Sequence, residues 1–349
     1  MISNLLFVFF RSSRIYRYFR MVKRKKIWTN YLISHYNLSN DELKTVYKKQ
    51  RKAWICHNIG LSDFYMLHCE DKSMDQIRKY VGWWESSSFC MRMNSPTARN
   101  LLSDKWKSYN YFSKFYGRSA LLITSSEIDN GKGIEKIKTF VGETNLAYII
   151  KPLNMSSGKG ISKLSSLSEI IDYVKSVNKD VIIEEAIDQD ESMAAFNQSS
   201  VNTLRINTAN YGNGVIDVLW PCFRVGRAGS IVDNAGAGGI FAAINVVDGK
   251  TIAASDESRN VWKVHPDSKK DLIGFTIPRW KEAVALAKEL AKTLPDAGFV
   301  GWDFALTKQG WVMVEGNGAP LLIYQIAVGH PIRTEFCEMK EKFLKVRLS

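Results

Sequence analysis

The chain is poor in cysteine. Five are scattered over 349 residues. An odd, dispersed set excludes a disulfide framework and points to a reducing, cytoplasmic compartment. No C-x2-C pair occurs, so a zinc module of the usual spacing is excluded too. The nearest approach, "CHNIGLSDFYMLHC" (Cys56, His57, His68, Cys69), reads as buried thiols with histidines on helix surfaces. Internal repeats and low-complexity runs are also missing. Nucleic acid is excluded as a partner because no recognised motif accompanies the net charge of +13. Apolar content of 45% and charged content of 24% are ordinary for a globular protein, and the length allows two or three domains.

Residues 1–26 lack any acid but hold eight Lys or Arg, which leaves +5 on the other 323 residues. This tail opens with "LLFVFF", and Ile15, Tyr18, Phe19 and Val22 follow an i, i+3, i+4, i+7 stripe. An apolar stripe among arginines fits a helix lying in an anionic membrane interface. The apolar run is too short to span a bilayer. Its charges follow the run instead of preceding it, so it is no secretory signal. A basic helix docked on the protein itself is the alternative.

Residues 27–103 show helical spacing, as in "DELKTVYKKQRKAWI" and "SMDQIRKYVGWW", and no clear strand. From 104 onward strands interleave with helices. "AYIIKP" (147–152) and "VIIEEAI" (181–187) read as strands, with the helix "LSSLSEIIDYVKSV" between them. Residues 203–224 and 240–255 alternate as antiparallel strands do. "PRWKEAVALAKELAKTL" reads as a helix with Pro278 in its first turn and Ala283, Leu286, Ala287 and Leu290 on its core face. The class is α+β. The expected divisions are a basic tail (1–26), a helical region (27–103), a smaller α+β unit (104–187) and a larger one (188–349).

"GWDFALTKQGWVMVEGNGAP" (301–320) reads as a hairpin. If Lys308, Gln309 and Gly310 form a three-residue loop, Thr307 faces Trp311, Ala305 faces Met313, and Asp303 faces Glu315. Opposed carboxylates destabilise a sheet, and Asn317 projects from the same face two residues on. Such an oxygen set asks for a cation and suits Mg²⁺. Upstream, the strand lysine Lys151 precedes a Gly/Ser loop carrying Ser157, Gly158, Lys159 and Gly160. Small residues there let amides approach oxyanions while the lysines neutralise them. The stretch is not a Walker loop. "IIEEAI" ends on Glu184 and Glu185, where a strand end offers backbone groups to an adenine edge and a carboxylate to ribose.

Together these segments are more specific than their parts. From about 104 to 330 the chain resembles the ATP-grasp superfamily, and within it the sugar-transfer-associated ATP-grasp proteins of polysaccharide synthesis. The resemblance rests on "LLSDKW", "YIIKP" with "SSGKGI", "VIIEEAI", "SVNTLRINT", "RVG…VDNAGAGGI" and "GWDFALT…VMVEGNGAP". It implies the ATP-grasp fold, two α+β units clasping ATP. It places Lys105 and Lys151 on the phosphates and Glu184, Glu185 and Ile187 at the adenine hinge. Glu191 falls at the ribose. Asp303, Glu315 and Asn317 fall on two Mg²⁺ ions. Arg205 is assigned to the transferred phosphoryl group, and Arg224 with Asp233 and Asn234 to the acceptor. The helical N-terminal region departs from the βαβ domain with which many such ligases begin.

The reaction implied is ATP- and Mg²⁺-dependent joining of a carboxylate to an amine through an acyl phosphate. The family context suggests a small-molecule or lipid-linked sugar, such as a uronate or amino sugar. A sugar kinase using the same site is one rival, and a non-catalytic, membrane-attached nucleotide-binding protein is another.

Overall fold

Two antiparallel sheets organise the structure, a computed structural model that describes residues 14–23, 25–36, 38–142, 146–153 and 160–348. The smaller sheet has the order β1 (Ala120–Ile123), β4 (Val181–Glu185), β2 (Tyr148–Pro152), β3 (Ser162–Leu164). The helices Lys132–Val141 and Leu167–Val177 cover it, and their Ile137, Val141, Ile170 and Val174 pack with Ile150 and Ile183 in a core of its own. The larger sheet runs β10 (Gly310–Asn317), β9 (Phe299–Thr307), β5 (Leu204–Gly212), β6 (Val215–Val225), β7 (Ile240–Ile244), β8 (Thr251–Ser255). Helices and antiparallel sheets together make the class α+β.

The helix Trp280–Thr293 covers one face of the larger sheet, burying Ala283, Ala287 and Leu290 against Val300, Trp302 and Phe304. Leu286 is only partly buried there. Pro278 lies outside the helix, because Arg279 takes the cap position with φ of 52°. The opposite face receives the N-terminal helices. Phe64 and Met66 share a core with Cys222 and Phe241, and Phe89 packs with Phe299, Phe336 and Phe343. Residues 27–103 are helical as expected; most of their buried residues join cores shared with that sheet, and a small cluster around Trp54, with Tyr47, Ile55, Leu61 and Trp84, is their own. Residues 104–116 also sit on the larger sheet, with Phe112 and Phe115 in its core.

Local chemistry explains the helix boundaries. Asn40–His57 starts at a reciprocal Ser39–Glu42 capping box and stops at Asn58, whose φ of 60° ends the helix left-handed. "SMDQIRKYVGWW" is not one helix. It breaks into Met74–Ile77 and Trp83–Met93, and Gly82, which caps the second, packs so close to the Asn58 carbonyl that a Cβ would stand 2.4 Å from its oxygen.

The basic segment forms the helix Arg14–Lys23. Its Arg17 and Arg20 face the protein. Arg17 is buried and donates to the Ile55 carbonyl (2.9 and 2.7 Å) and to Asn58 Oδ1 (2.7 Å), while the Arg17 carbonyl accepts from Trp54 Nε1 (2.8 Å). Arg20 lies over the Trp84 ring, 4.2 Å from its centroid. Tyr18, Phe19 and Val22 point outward, Phe19 being 64% exposed. Docking and an outward apolar stripe therefore coexist. "LLFVFF" lies outside the described residues.

Candidate active site

The hairpin brings Asp303 and Glu315 together by a route the sequence does not announce. Its strands close on Thr307 and Gly310, leaving Lys308 and Gln309 between them, so Trp311 faces Leu306 and Met313 faces Phe304. That is one residue out of the expected register. A bulge between Met313 and Glu315 inserts Val314 and restores the offset, so that Glu315 still opposes Asp303 and Asn317 opposes Gly301. A bulge re-aims side chains in this way. On the other side of β9, Arg205 of β5 is the direct partner of Asp303. Arg205, Asp303 and Glu315 thus form one row across three strands.

Asp303 has no exposed surface. Arg205 grips it through Nε on Oδ1 and through Nη2 on Oδ2 (2.8 Å), and Arg224 Nη2 adds a contact of 3.0 Å. Burial alone would raise the Asp303 carboxyl, but Arg205 and Arg224 outweigh it and hold it below the usual range. Glu315 shifts the other way, raised by the surrounding protein and then by the charge of Asp303. Glu315 is deep in the cleft, yet its surface is exposed to the cleft's solvent. That solvent screens its charge. Asn317 Nδ2 bridges the pair, 3.2 Å from Asp303 Oδ2 and 3.3 Å from Glu315 Oε1.

Arg224 is fixed from both sides. It donates to Thr203 Oγ1 (2.9 and 2.6 Å) and lies 3.6 Å from Asp233, which also accepts from the Thr203 amide (2.9 Å) and hydroxyl. Burial opposes its charge, but Asp233 and Asp303 prevail and keep the guanidinium protonated. Asp233 is itself buried, so it positions Arg224 from behind. Asn234 turns away and caps a short turn by accepting from the Gly236 amide (3.1 Å).

The smaller sheet supplies the facing wall. Lys151 donates to Glu184 Oε1 (3.0 Å), and Lys105 donates to the carbonyls of Pro152 (3.3 Å) and Leu153 (3.0 Å). Burial lowers the Lys105 ammonium, partly offset by Glu315. Glu184 does not turn its carboxylate to a hinge. It is buried between Lys151 and Arg118, which donates from Nε (2.8 Å) and Nη2 (2.6 Å). Burial would push this carboxyl up, but Arg118 and Lys151 hold it at about 2.

Glu185 accepts from the Ser119 amide (2.8 Å), Ile187 is half-buried just past the strand, and Glu191 is exposed at the start of the helix Glu191–Ala194. Gly160 has φ of 68°, and its carbonyl accepts from the Tyr173 hydroxyl (2.7 Å). Ser157, Gly158 and Lys159 lie outside the described residues.

Arg118 is the residue that sequence reasoning missed. It also donates to the carbonyls of Tyr116 (3.0 Å) and Met313 (2.8 Å), joining the two sheets. A lone arginine before "ALLI" carries no periodic or motif signal. Its one marker is the preceding Gly117, with φ of 59°, which sets the chain direction into β1. His68 is not on a helix surface but in a left-handed turn, and its Nδ1 lies 2.7 Å from Arg259.

No curated protein matches the chain. Among solved structures, the D-alanyl-alanine synthetase A of Vibrio cholerae O1 biovar eltor str. N16961 is 13% identical, with 72% of this chain and 68% of that chain covered and a TM-score of 0.45. The VanG D-Ala:D-Ser ligase of Enterococcus faecalis is 15% identical, with 78% and 67% covered and a TM-score of 0.45. The ADP complex of the N5-carboxyaminoimidazole ribonucleotide synthetase purK is 13% identical, with a TM-score of 0.41 and 64% of this chain covered. The chain spans under half of that synthetase, 46% of its length. These likenesses carry no weight of their own at such scores. The model of the sugar-transfer associated ATP-grasp family matches residues 85–341, most of the chain, and the chain belongs to that family.

Proposed function

We propose that the protein is an ATP- and Mg²⁺-dependent carboxylate–amine ligase acting on a sugar-containing small molecule. One observation carries this reading: Lys105, from a helix packed on the larger sheet, and Lys151, from the smaller sheet, converge on the larger sheet's acid–amide–arginine row. Lys105 and Lys151 neutralise ATP phosphates. Glu185, Ile187 and Glu191 bound the nucleoside end. Asp303, Glu315 and Asn317 are an oxygen-rich set that fits magnesium, and the Asn317 amide N–H group, which donates to both carboxylates, stands where a cation would be held between them. When bound there, the metal neutralises charge on the β- and γ-phosphates.

The arginines act on the transfer itself. A substrate carboxylate oxygen attacks the γ-phosphorus, the bond to the ADP oxygen breaks, and an acyl phosphate forms. Arg205 and Arg224 stabilise the charge on the transferring group, their forks held in place by Asp303 and Asp233. An amine then attacks the acyl carbon and loses a proton, and inorganic phosphate leaves with the bond pair. The test measures ADP release from Mg·ATP with uronic acids, with and without amines. Release that needs no amine, with a product resistant to hydroxylamine, would identify a kinase instead.

The outward stripe Tyr18, Phe19 and Val22, beside the tail's basic residues, fits peripheral attachment to an anionic lipid surface at the cytoplasmic face. Among the described residues no helix is long and apolar enough to cross a membrane.

A further inference from the structure

A cavity of about 630 Å³ lies between the N-terminal helices and the edge of the larger sheet, away from the nucleotide lysines. Its size falls in the range of small-molecule sites. Two aromatic walls line it. Trp54, Trp83 and Trp84 form one, with ring centroids 5.7 and 5.1 Å apart in edge contacts. Tyr31 and Tyr65 form the other, 6.4 Å apart. Trp83 is 38% exposed despite its size.

The protein carries +13, yet the cavity is lined by two acids, Asp63 and Glu257, against one arginine, Arg20, and His35. Asp63 is buried and accepts from the amides of Gly60 (3.2 Å) and Trp83 (3.1 Å). Among the described residues no cation pairs with it, and burial pushes its carboxyl up to about 6. The aromatic faces already taken here hold cations. Arg20 lies 4.2 Å from the Trp84 centroid and Arg259 lies 4.6 Å from that of Tyr65. Rings that hold guanidinium ions hold ammonium ions by the same quadrupole attraction.

The cavity's wall packs against the strand neighbours of the two arginines. Met66 of its wall shares a core with Cys222 and Phe241, the strand partners of Arg205 and Arg224. Leu321, four residues past Asn317, also lines it. A Cβ on Gly236, in the turn after Asp233, would stand 4.0 Å from Glu257 Oε2.

We infer that this cavity binds a saccharide bearing a free amino group, its ring against the Trp83 face and its ammonium toward Asp63 and Glu257. That this amine is the nucleophile rests on the ligase reading, whereas the binding does not. Isothermal titration of the full chain with glucosamine tests the binding, with glucose and N-acetylglucosamine as neutral controls. Glucosamine should bind about tenfold tighter than either control, the scale set by ammonium–aromatic and ammonium–carboxylate contacts. Trp83→Ala and Glu257→Gln should each weaken it several-fold. Both variants should keep cooperative melting and the wild-type response to Mg·ATP. Equal binding of glucosamine and glucose, no binding by folded wild-type protein, or indifference to both substitutions overturns the assignment. Glucosamine binding without ADP release in the presence of any carboxylate would remove the ligase reading and leave the site standing.

Discussion

Glu184 holds two cations at once, and its chemistry sets an acid limit on stability. Its folded pKa, at about 2, lies below the ordinary 4.5. The pairing with Arg118 and Lys151 therefore contributes stability that is fully present above the unfolded value and is lost as pH falls through the folded one. That depression corresponds to about 3 kcal/mol. Denaturant titrations from pH 7 to pH 3 should show the onset of this loss, beginning near the unfolded value of 4.5, in the wild type and not in Glu184→Gln. At neutral pH the substitution should cost about 3–5 kcal/mol, because it breaks a buried network. An unchanged acid limb in the variant would move the effect to another carboxylate. Glu315 behaves in the opposite sense. Its raised pKa means the fold prefers it protonated, so its contribution is present at low pH and lost as pH rises through the folded value. Glu315→Gln should accordingly leave stability without ligand equal or higher, while ADP release falls to background. Wild-type turnover in that variant would place the metal ligands elsewhere.

Among the elements, the helix Arg14–Lys23 separates docking from display. Arg17 and Arg20 fasten it, so Phe19→Glu and Val22→Glu change only the outward stripe. Basic residues beside an anionic surface contribute about 1 kcal/mol each, within a Debye length. Liposome flotation of the full chain should fall as salt rises and be lost in the double variant, with melting unchanged. Equal flotation of both would assign lipid binding to another surface. The same element shows how far the sequence could be read. The stripe was visible as a period, but which face would dock was not, because Trp54 and Asn58 lie far along the chain. The hairpin acids were legible as a pair, although the turn was not, since the bulge at Val314 is set by contacts across the sheet. β1 and β3, of four and three residues, are too short to show periodicity. Arg118 was invisible for a related reason: its role arises only when Glu184 and the Met313 carbonyl meet it.

At the scale of the molecule, the two sheets have separate apolar cores and meet through polar contacts. Arg118 links Glu184 to the Met313 carbonyl, Lys105 reaches the Pro152 and Leu153 carbonyls, and the Asp190 amide donates to Leu306 (2.8 Å). Hydrophobic burial is therefore a weak restraint on their relative position, and the clamp at Arg118 is a strong one. Arg118→Ala removes one partner of a buried pair, a loss of about 3–5 kcal/mol. The loss should fall on the smaller sheet, because its core is not shared. Hydrogen exchange should then speed up about a hundredfold or more at the amides of β2 and β4, while β5 and β6 keep wild-type rates. In the proposed site, a nucleotide spanning Lys105, Lys151 and the Asp303–Glu315 pair would replace the lost link. At 100 times its Kd, Mg·ATP adds about 2.7 kcal/mol, enough to return much of the protection to β2 and β4. Uniform acceleration across both sheets would show one cooperative unit, and protection unmoved by Mg·ATP would show that the nucleotide does not bridge them.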